Sequence, residues 1–259
     1  MKQPKNKILN TKYSLTIGWL YPDLMCIYGD RGNVTVLQKR CEWRSIETTV
    51  KQIGLGSTEK DLLSCDLLMM GGAQDSQQTI VATDLEKKKV ALSTMIEEGI
   101  PGLYVCGGFQ FLGKYYKEAD GTIIEQLGIL DVYTENPGGK RLIGNIAIEV
   151  TGLQIKTTFV GFENHGGRTS LGSDVRPLGK VIKGYGSNAR DKTEGAVYRN
   201  TIGTYFHGPI LPKNPELADW LITKALEKKY KQTIELSPLD DSLSKKAREV
   251  VLTRLGVSR

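Results

Sequence analysis

The chain has 259 residues, enough for one large α/β domain or two small ones. Its hydrophobic fraction of 39% and charged fraction of 25% are those of an ordinary globular protein, and no apolar run is long enough to span a bilayer. The net charge of +6 comes without an aromatic-interleaved basic stripe, which argues against nucleic acid as a partner, and four scattered cysteines with no C-x-x-C pair argue against a metal site or a disulfide framework and fit a reducing cytosol.

Residues 1–12 are polar and basic but lack the apolar core of a signal peptide. They read as a flexible leader on a cytoplasmic protein, and residues 13–259 as one domain without repeat or linker. Residues 13–21 predict a first strand. A loop follows, containing Tyr28-Gly29-Asp30-Arg31-Gly32-Asn33, and residues 34–43 have helical spacing. Residues 47–55 predict a second strand, and 66–70 a short apolar strand ending in Gly71-Gly72. Residues 85–98 predict a helix closed by Gly99. An apolar strand then stops at Cys106-Gly107-Gly108, and a helix is expected over 109–118. Residues 142–150, 153–160, 179–184, 194–199 and 201–206 predict shorter strands, and 214–228 and 241–255 predict closing helices. Strands alternating with helices, with apolar runs for buried strands, predict an α/β fold. Its sheet should be doubly wound and mostly parallel, with an antiparallel extension from about residue 140. Ligands bind beyond the carboxyl ends of such strands, where Gly71-Gly72 and Cys106 both fall.

Cys106 is the first candidate for chemistry. A buried strand, a sharp turn and an immediate helix form a nucleophile elbow, which lifts the thiol out of the sheet. The N–H groups that open the helix favour the thiolate, the form that attacks carbonyl carbon. Cys26, Cys41 and Cys65 have no such flanks and read as small core hydrophobes. The chain has two histidines, so the choice of general base is narrow. His207 follows an apolar strand in Gly203-Thr204-Tyr205-Phe206-His207-Gly208-Pro209, and an imidazole there can take the thiol proton and return it to a leaving amine. His165 lies in Gly161-Phe162-Glu163-Asn164-His165-Gly166-Gly167-Arg168, and is either structural or a substrate contact.

Four stretches in this order resemble the class I, or triad, glutamine amidotransferases of the cobyric-acid-synthase-like branch. Residues 105–113 are similar to the nucleophile elbow, 161–168 to the Gly-aromatic-Glu-x-His signature, and 203–208 to the aromatic-x-His-Gly signature of the base. The stretch Tyr28-Gly29-Asp30-Arg31-Gly32-Asn33, with Arg40, Trp43 and Arg44 downstream, narrows the resemblance to glutaminase subunits that pair with a MurT-like Mur ligase. The resemblance runs from about residue 13 to residue 222 and implies a flavodoxin-like architecture.

The resemblance implies that Cys106 attacks the side-chain amide of L-glutamine, ammonia leaves, and water hydrolyses the thioester. Both steps pass through an oxyanion, for which the N–H groups of Gly107 and Gly72 are the expected donors. No cofactor or metal is implied. Arg141, in a Gly-rich loop, is the first choice for the substrate carboxylate and Arg168 the second, because a guanidinium binds carboxylate in a fork. Gln110 and His165 are further substrate contacts. Where many of these enzymes carry a glutamate two residues after the histidine, this chain has Pro209. The third group is then Asp30, a carboxylate from the partner, or absent in a Cys–His dyad. No G-x-x-x-x-G-K-[ST] phosphate loop occurs, and the cobyric acid enzymes' additional ATP-binding domain has no counterpart here. The expectation is a glutaminase that supplies ammonia to a MurT-like ligase, which amidates the D-glutamate α-carboxylate of lipid II at the inner membrane face. The rivals are a stand-alone PfpI-type cysteine hydrolase and a catalytically silent scaffold of the same fold.

Overall fold

The computed structural model describes residues 12–26, 29–73 and 75–257. All but one residue of the expected leader, and Tyr28 of the narrowing motif, lie outside the described residues. Along the first half, β1 (Ser14–Leu20), α1 (Arg31–Glu42), β2 (Glu47–Ile53), α2 (Glu59–Leu63), β3 (Leu67–Met70), α3 (Asp75–Glu86), α4 (Lys89–Glu97), β4 (Gly102–Val105) and α5 (Gly107–Leu112) succeed one another. The second half contributes β5 (Tyr115–Lys117), β6 (Ile123–Glu125), β7 (Val132–Glu135), β8 (Leu142–Val150), β9 (Thr158–His165), β10 (Arg168–Leu171), β11 (Gly179–Lys183), β12 (Thr193–Glu194), β13 (Ala196–Tyr198), β14 (Thr201–Thr204) and β15 (Phe206–His207). The chain then forms α6 (Pro215–Tyr230) and α7 (Ser242–Arg254).

The main sheet has the order β13-β14-β4-β3-β1-β2. All its neighbours pair in parallel except the hairpin β13–β14. Strands β3 and β4 are buried at every residue, which is why they read as continuous apolar runs rather than alternating ones. Burial of their Leu, Met and Val side chains contributes about 1.5–3 kcal/mol apiece. Helix α6 packs on β1, β3 and α1. A second sheet, β12-β11-β8-β9-β15, is antiparallel and forms the expected extension, and a third has the order β10-β7-β5-β6.

The boundaries differ from expectation where tertiary bonds win over local pattern. The helix expected over 85–98 is two helices, and Lys88 at the join is buried against Asp84 and the ring of Tyr21. The elbow helix starts at Gly107 and ends at Leu112, because Gly113 is extended and a Cβ there would lie 3.0 Å from Val132. The strand expected over 153–160 begins only at Thr158. The strand expected over 201–206 breaks at Tyr205, where the chain passes from the main sheet into the antiparallel one. Glu194 causes the break. Its buried carboxylate accepts the Thr204 hydroxyl and the Tyr205 N–H, both at 2.7 Å, removing a donor that a continued ladder would need. Breaking there delivers the next residues, Phe206 and His207, to the edge of β9.

Candidate active site

Cys106 follows β4 with φ +52° and ψ −107°. A non-glycine residue with positive φ costs about 1–3 kcal/mol, and such strain persists only where neighbours impose it. Here the Cys106 N–H donates to the Thr204 carbonyl at 2.9 Å, and its own carbonyl accepts from the Gln110 N–H at 2.9 Å. Gly108 closes the turn: its N–H donates to the Gly71 carbonyl at 3.1 Å, and a Cβ would lie 2.9 Å from that oxygen. The thiol therefore stands at the carboxyl end of β4. Cys106 is itself buried, at 9% exposure; Cys41 and Cys65 lie deeper, at 0% and 3%, where desolvation pushes their thiols up to about 12 and about 11.

His207 comes to the same place from the other sheet. It pairs with Phe162 of β9, while Phe206 pairs with Glu163 and faces the opposite side. Gly72 shows how close the two candidates are: a Cβ on it would lie 3.2 Å from the Cys106 Cβ and 3.4 Å from the His207 Cε1. Burial, then the nearby Arg141 charge, lowers the His207 imidazole to about 4. It is neutral at pH 7 and able to accept a proton. His165 is held differently. Its ring stacks on Tyr205 with centroids 3.8 Å apart, and its Nδ1 lies 2.7 Å from the Gly167 carbonyl. A carbonyl can only accept, so Nδ1 carries the proton, and burial lowers this imidazole to about 3. That geometry props a turn rather than shuttles protons. His207→Ala is accordingly expected to lose nearly as much glutaminase activity as removal of the thiol, with the double variant scarcely worse, because groups acting as a unit are non-additive. His165→Ala is expected to lose less. An essential His165 beside a dispensable His207 in steady-state glutamate release would reverse the assignment.

A cavity of about 360 Å³ opens beside Cys106, and Gln110, Arg141, His165 and Gly166 line it. That volume suits a small polar ligand. Arg141 is positioned by Asn164: Nε donates to its Oδ1 at 2.9 Å and Nη2 to its backbone carbonyl at 2.8 Å. Both bonds use one edge of the guanidinium, leaving Nη1 for a ligand carboxylate. Arg168, the second choice, is spent otherwise. Its Nη1 donates to the Gly166 carbonyl at 2.7 Å and its Nη2 to the Lys140 carbonyl at 2.9 Å, so it ties the two loops beside the cavity together. The Gln110 amide donates to the Tyr205 hydroxyl at 3.0 Å, which bonds Thr169 at 2.6 Å. Gln110 thus faces the cavity as part of a fixed polar chain.

The expected oxyanion donors are placed unequally. Gly107 is the first residue of α5, directly after the thiol. Gly72 is beside the thiol, but its N–H donates to Asp30 Oδ2 at 3.1 Å. Asp30 is fully buried, and burial raises its carboxyl to about 6. Its other oxygen has no hydrogen-bond partner among the described residues, so Asp30 does not orient His207. The Gly29–Asn33 segment does more than narrow a resemblance. Gly32 makes room for Pro209, whose Cγ would lie 2.3 Å from a Cβ there, and Asn33 Oδ1 accepts the Leu211 N–H at 3.1 Å. The opening of α1 therefore packs under both the Gly71-Gly72 turn and the turn after His207. Asn33, Asn164 and Glu194 were not among the expected site residues. A buried Asn or Glu beside a turn has no periodic signature, although Asn164 does sit in the Glu-x-His stretch.

A family model described as the CobB/CobQ-like glutamine amidotransferase domain matches residues 16–215. The chain is 44% identical over 243 residues to "Lipid II isoglutaminyl synthase (glutamine-hydrolyzing) subunit GatD" of Staphylococcus aureus, covering 93% of this chain and 96% of that protein. It is 43% identical over 240 residues to the protein of the same name from Streptococcus pneumoniae, covering 93% and 91%. A solved structure described as a glutamine amidotransferase superposes with a TM-score of 0.55 at 19% identity, covering 81% of this chain and 98% of that one, which bears on the fold alone.

Proposed function

The chain belongs to the CobB/CobQ-like glutamine amidotransferase family, and from its 44% and 43% identity to the two GatD subunits we infer that it is the glutamine-hydrolysing subunit of a lipid II isoglutaminyl synthase. The observation that carries the chemistry is the meeting of a strained Cys106 and a neutral His207 at the end of β4, beside a cavity edged by Arg141. In this mechanism L-glutamine binds with its α-carboxylate on Arg141. The Cys106 sulfur attacks the amide carbon as His207 takes the thiol proton, and His207 then gives that proton to the departing ammonia. Water, deprotonated by the same imidazole, attacks the thioester and releases glutamate. The Gly107 N–H is the first oxyanion donor, and the Gly72 N–H the second once it is turned to the site.

Ammonia passes to a MurT-like Mur ligase partner. There it amidates the α-carboxylate of the D-glutamate in lipid II, giving D-isoglutamine for peptidoglycan synthesis. No helix among the described residues is long and apolar enough to cross a membrane. We place the chain in the cytoplasm on the ground of the proposed reaction, meeting lipid II at the inner membrane face through its partner. A stand-alone PfpI-type hydrolase would need no ligase and would act on substrates other than glutamine. Labelling Cys106 with a glutamine-mimicking diazoketone, then identifying the protein that co-purifies, tests both halves of the proposal.

Arg141 supplies a graded test. Arg141→Gln is expected to raise KM for glutamine by about tenfold to a hundredfold, the usual weight of a charge-assisted bond. Arg141→Lys should recover little, because lysine keeps the charge but not the fork that Asn164 positions. A KM unchanged in both variants, measured by glutamate release, would remove Arg141 from the substrate site.

A further inference from the structure

Glu194 is fully buried, and the cost of placing a carboxylate there calls for a role. One oxygen serves the chain that leads to His207. Oε1 accepts the Thr204 hydroxyl and the Tyr205 N–H, both at 2.7 Å, and the Thr204 Oγ1 in turn accepts the Phe206 N–H at 3.1 Å. The N–H groups of the two residues before His207 thus end on one carboxylate, directly or through one hydroxyl. The other oxygen is anchored as well. Oε2 accepts the Ser187 hydroxyl at 2.8 Å, and Ser187 Oγ accepts the Gly195 N–H at 2.9 Å. Thr204 also reaches the nucleophile, because its carbonyl accepts the Cys106 N–H at 2.9 Å. Two short routes therefore leave Thr204, one to the backbone of the thiol and one to the base. Pairing with β9 does not by itself fix His207. Strand β15 is two residues long, and a slip of one residue turns each side chain to the opposite face. The face toward the thiol would then belong to a neighbour without an imidazole.

We propose that Glu194 is the positioning residue of the general base: by ending the β14 ladder at Tyr205 and anchoring the N–H groups that follow, it fixes His207 against Cys106. The proposal rests on the glutaminase function inferred above. The hold acts on the backbone and not on the ring. It is therefore independent of Pro209, which stands where many of these enzymes carry a glutamate.

The test compares wild type, His207→Ala, Glu194→Ala and Glu194→Gln in the full chain. The first readout is alkylation of Cys106 by iodoacetamide against pH, followed by peptide mass. In wild type His207 takes the thiol proton, so alkylation proceeds below about 8.5, where a free thiol titrates. His207→Ala should react only as the thiolate forms. Glu194→Ala should copy it, with the midpoint raised by about one pH unit or more. Glu194→Gln should stay near wild type, because its amide oxygen still accepts from Thr204 and Tyr205 while its NH2 donates to Ser187 Oγ. The second readout is glutamate release with the partner present. In Glu194→Ala, kcat should fall about tenfold to a hundredfold, the weight of a small misplacement, with KM within about threefold. Combined with His207→Ala the change should cost scarcely more. Loss of a purely structural group would lower the unfolding midpoint and leave the alkylation profile alone. A wild-type profile in folded Glu194→Ala overturns the proposal. So does a loss in Glu194→Gln as deep as in Glu194→Ala, which would assign the effect to charge rather than to these bonds. If Glu194→Ala fails to fold, Thr204→Val decides instead. It removes the hydroxyl between Glu194 and Phe206 at nearly equal volume, and should shift the profile in the same direction while Thr204→Ser does not. An unshifted Thr204→Val profile overturns the proposal too. Alkylation uses no glutamine, so the two ideas fail separately. A shifted profile in a chain that the glutamine-mimicking diazoketone cannot label keeps the role of Glu194 and removes the glutaminase reading. Labelling with unshifted profiles removes the role of Glu194 alone.

Discussion

Cys106→Ala is expected to lower glutamate release from glutamine below about a thousandth of the wild-type rate, with the partner present, while leaving the fold intact. Covalent catalysis has no path without its nucleophile, so the loss should approach the uncatalysed limit set by binding alone. Folding should tolerate the change. Cys106 lies at the edge of the core beside the cavity, and removing one sulfur there opens no sealed void. The backbone argues the same way, because alanine at φ +52° is strained no more than cysteine is. The measurement is glutamate formation under saturating glutamine, with the thermal unfolding midpoint recorded alongside. Residual activity above a thousandth would move the chemistry to another side chain. Cys26, half-buried, is then the alternative thiol to examine, since Cys41 and Cys65 are buried with raised thiols.

The parts of this site that were legible in the sequence are those with a strand behind them. Cys106 and His207 each follow an apolar run, and parallel pairing of β14 with β4 sets Thr204 beside Val105, one residue short of the thiol. Neighbouring strand ends in a parallel sheet lie side by side, so strand position brings Cys106 and the start of the His207 stretch to one edge, while His207 itself passes on into the antiparallel sheet. The Tyr205 break was not legible, because it depends on Glu194 reaching the Thr204 hydroxyl and the Tyr205 N–H. Nor was the difference between the two arginines: both Nη groups of Arg168 are taken by backbone carbonyls, whereas Arg141 is held through Nε and Nη2 alone. The orientation of a single peptide, Gly71–Gly72, is further still from anything periodicity encodes. Its N–H is held by Asp30, some forty residues earlier in the chain, and its carbonyl by the Gly108 N–H, some forty residues later.

A complex of the ligase with the Cys106→Ala chain is expected to amidate lipid II when given an ammonium salt and to fail when given glutamine. These 259 residues hold a strained thiol, a neutral imidazole and a cavity for a small polar ligand, but no G-x-x-x-x-G-K-[ST] loop to cradle a nucleotide's phosphates. Amide formation from a carboxylate needs that acid activated, and hydrolysis of glutamine yields ammonia but activates nothing. The two subunits then divide the work, with ammonia as the one species passed between them. Removing the thiol stops its production and leaves its consumption untouched. Ammonia is the reacting form, so below the ammonium pKa the ammonium-supported rate should climb about tenfold for each unit by which the pH is raised, provided the ligase itself is unchanged over that range. The measurement is isoglutamine in lipid II, resolved by mass spectrometry, for wild-type and variant complexes with each donor. Failure with both donors, from a ligase that still binds ATP, would show that this subunit does more than deliver nitrogen. Amidation by this chain alone would place acid activation within it and end the division of labour.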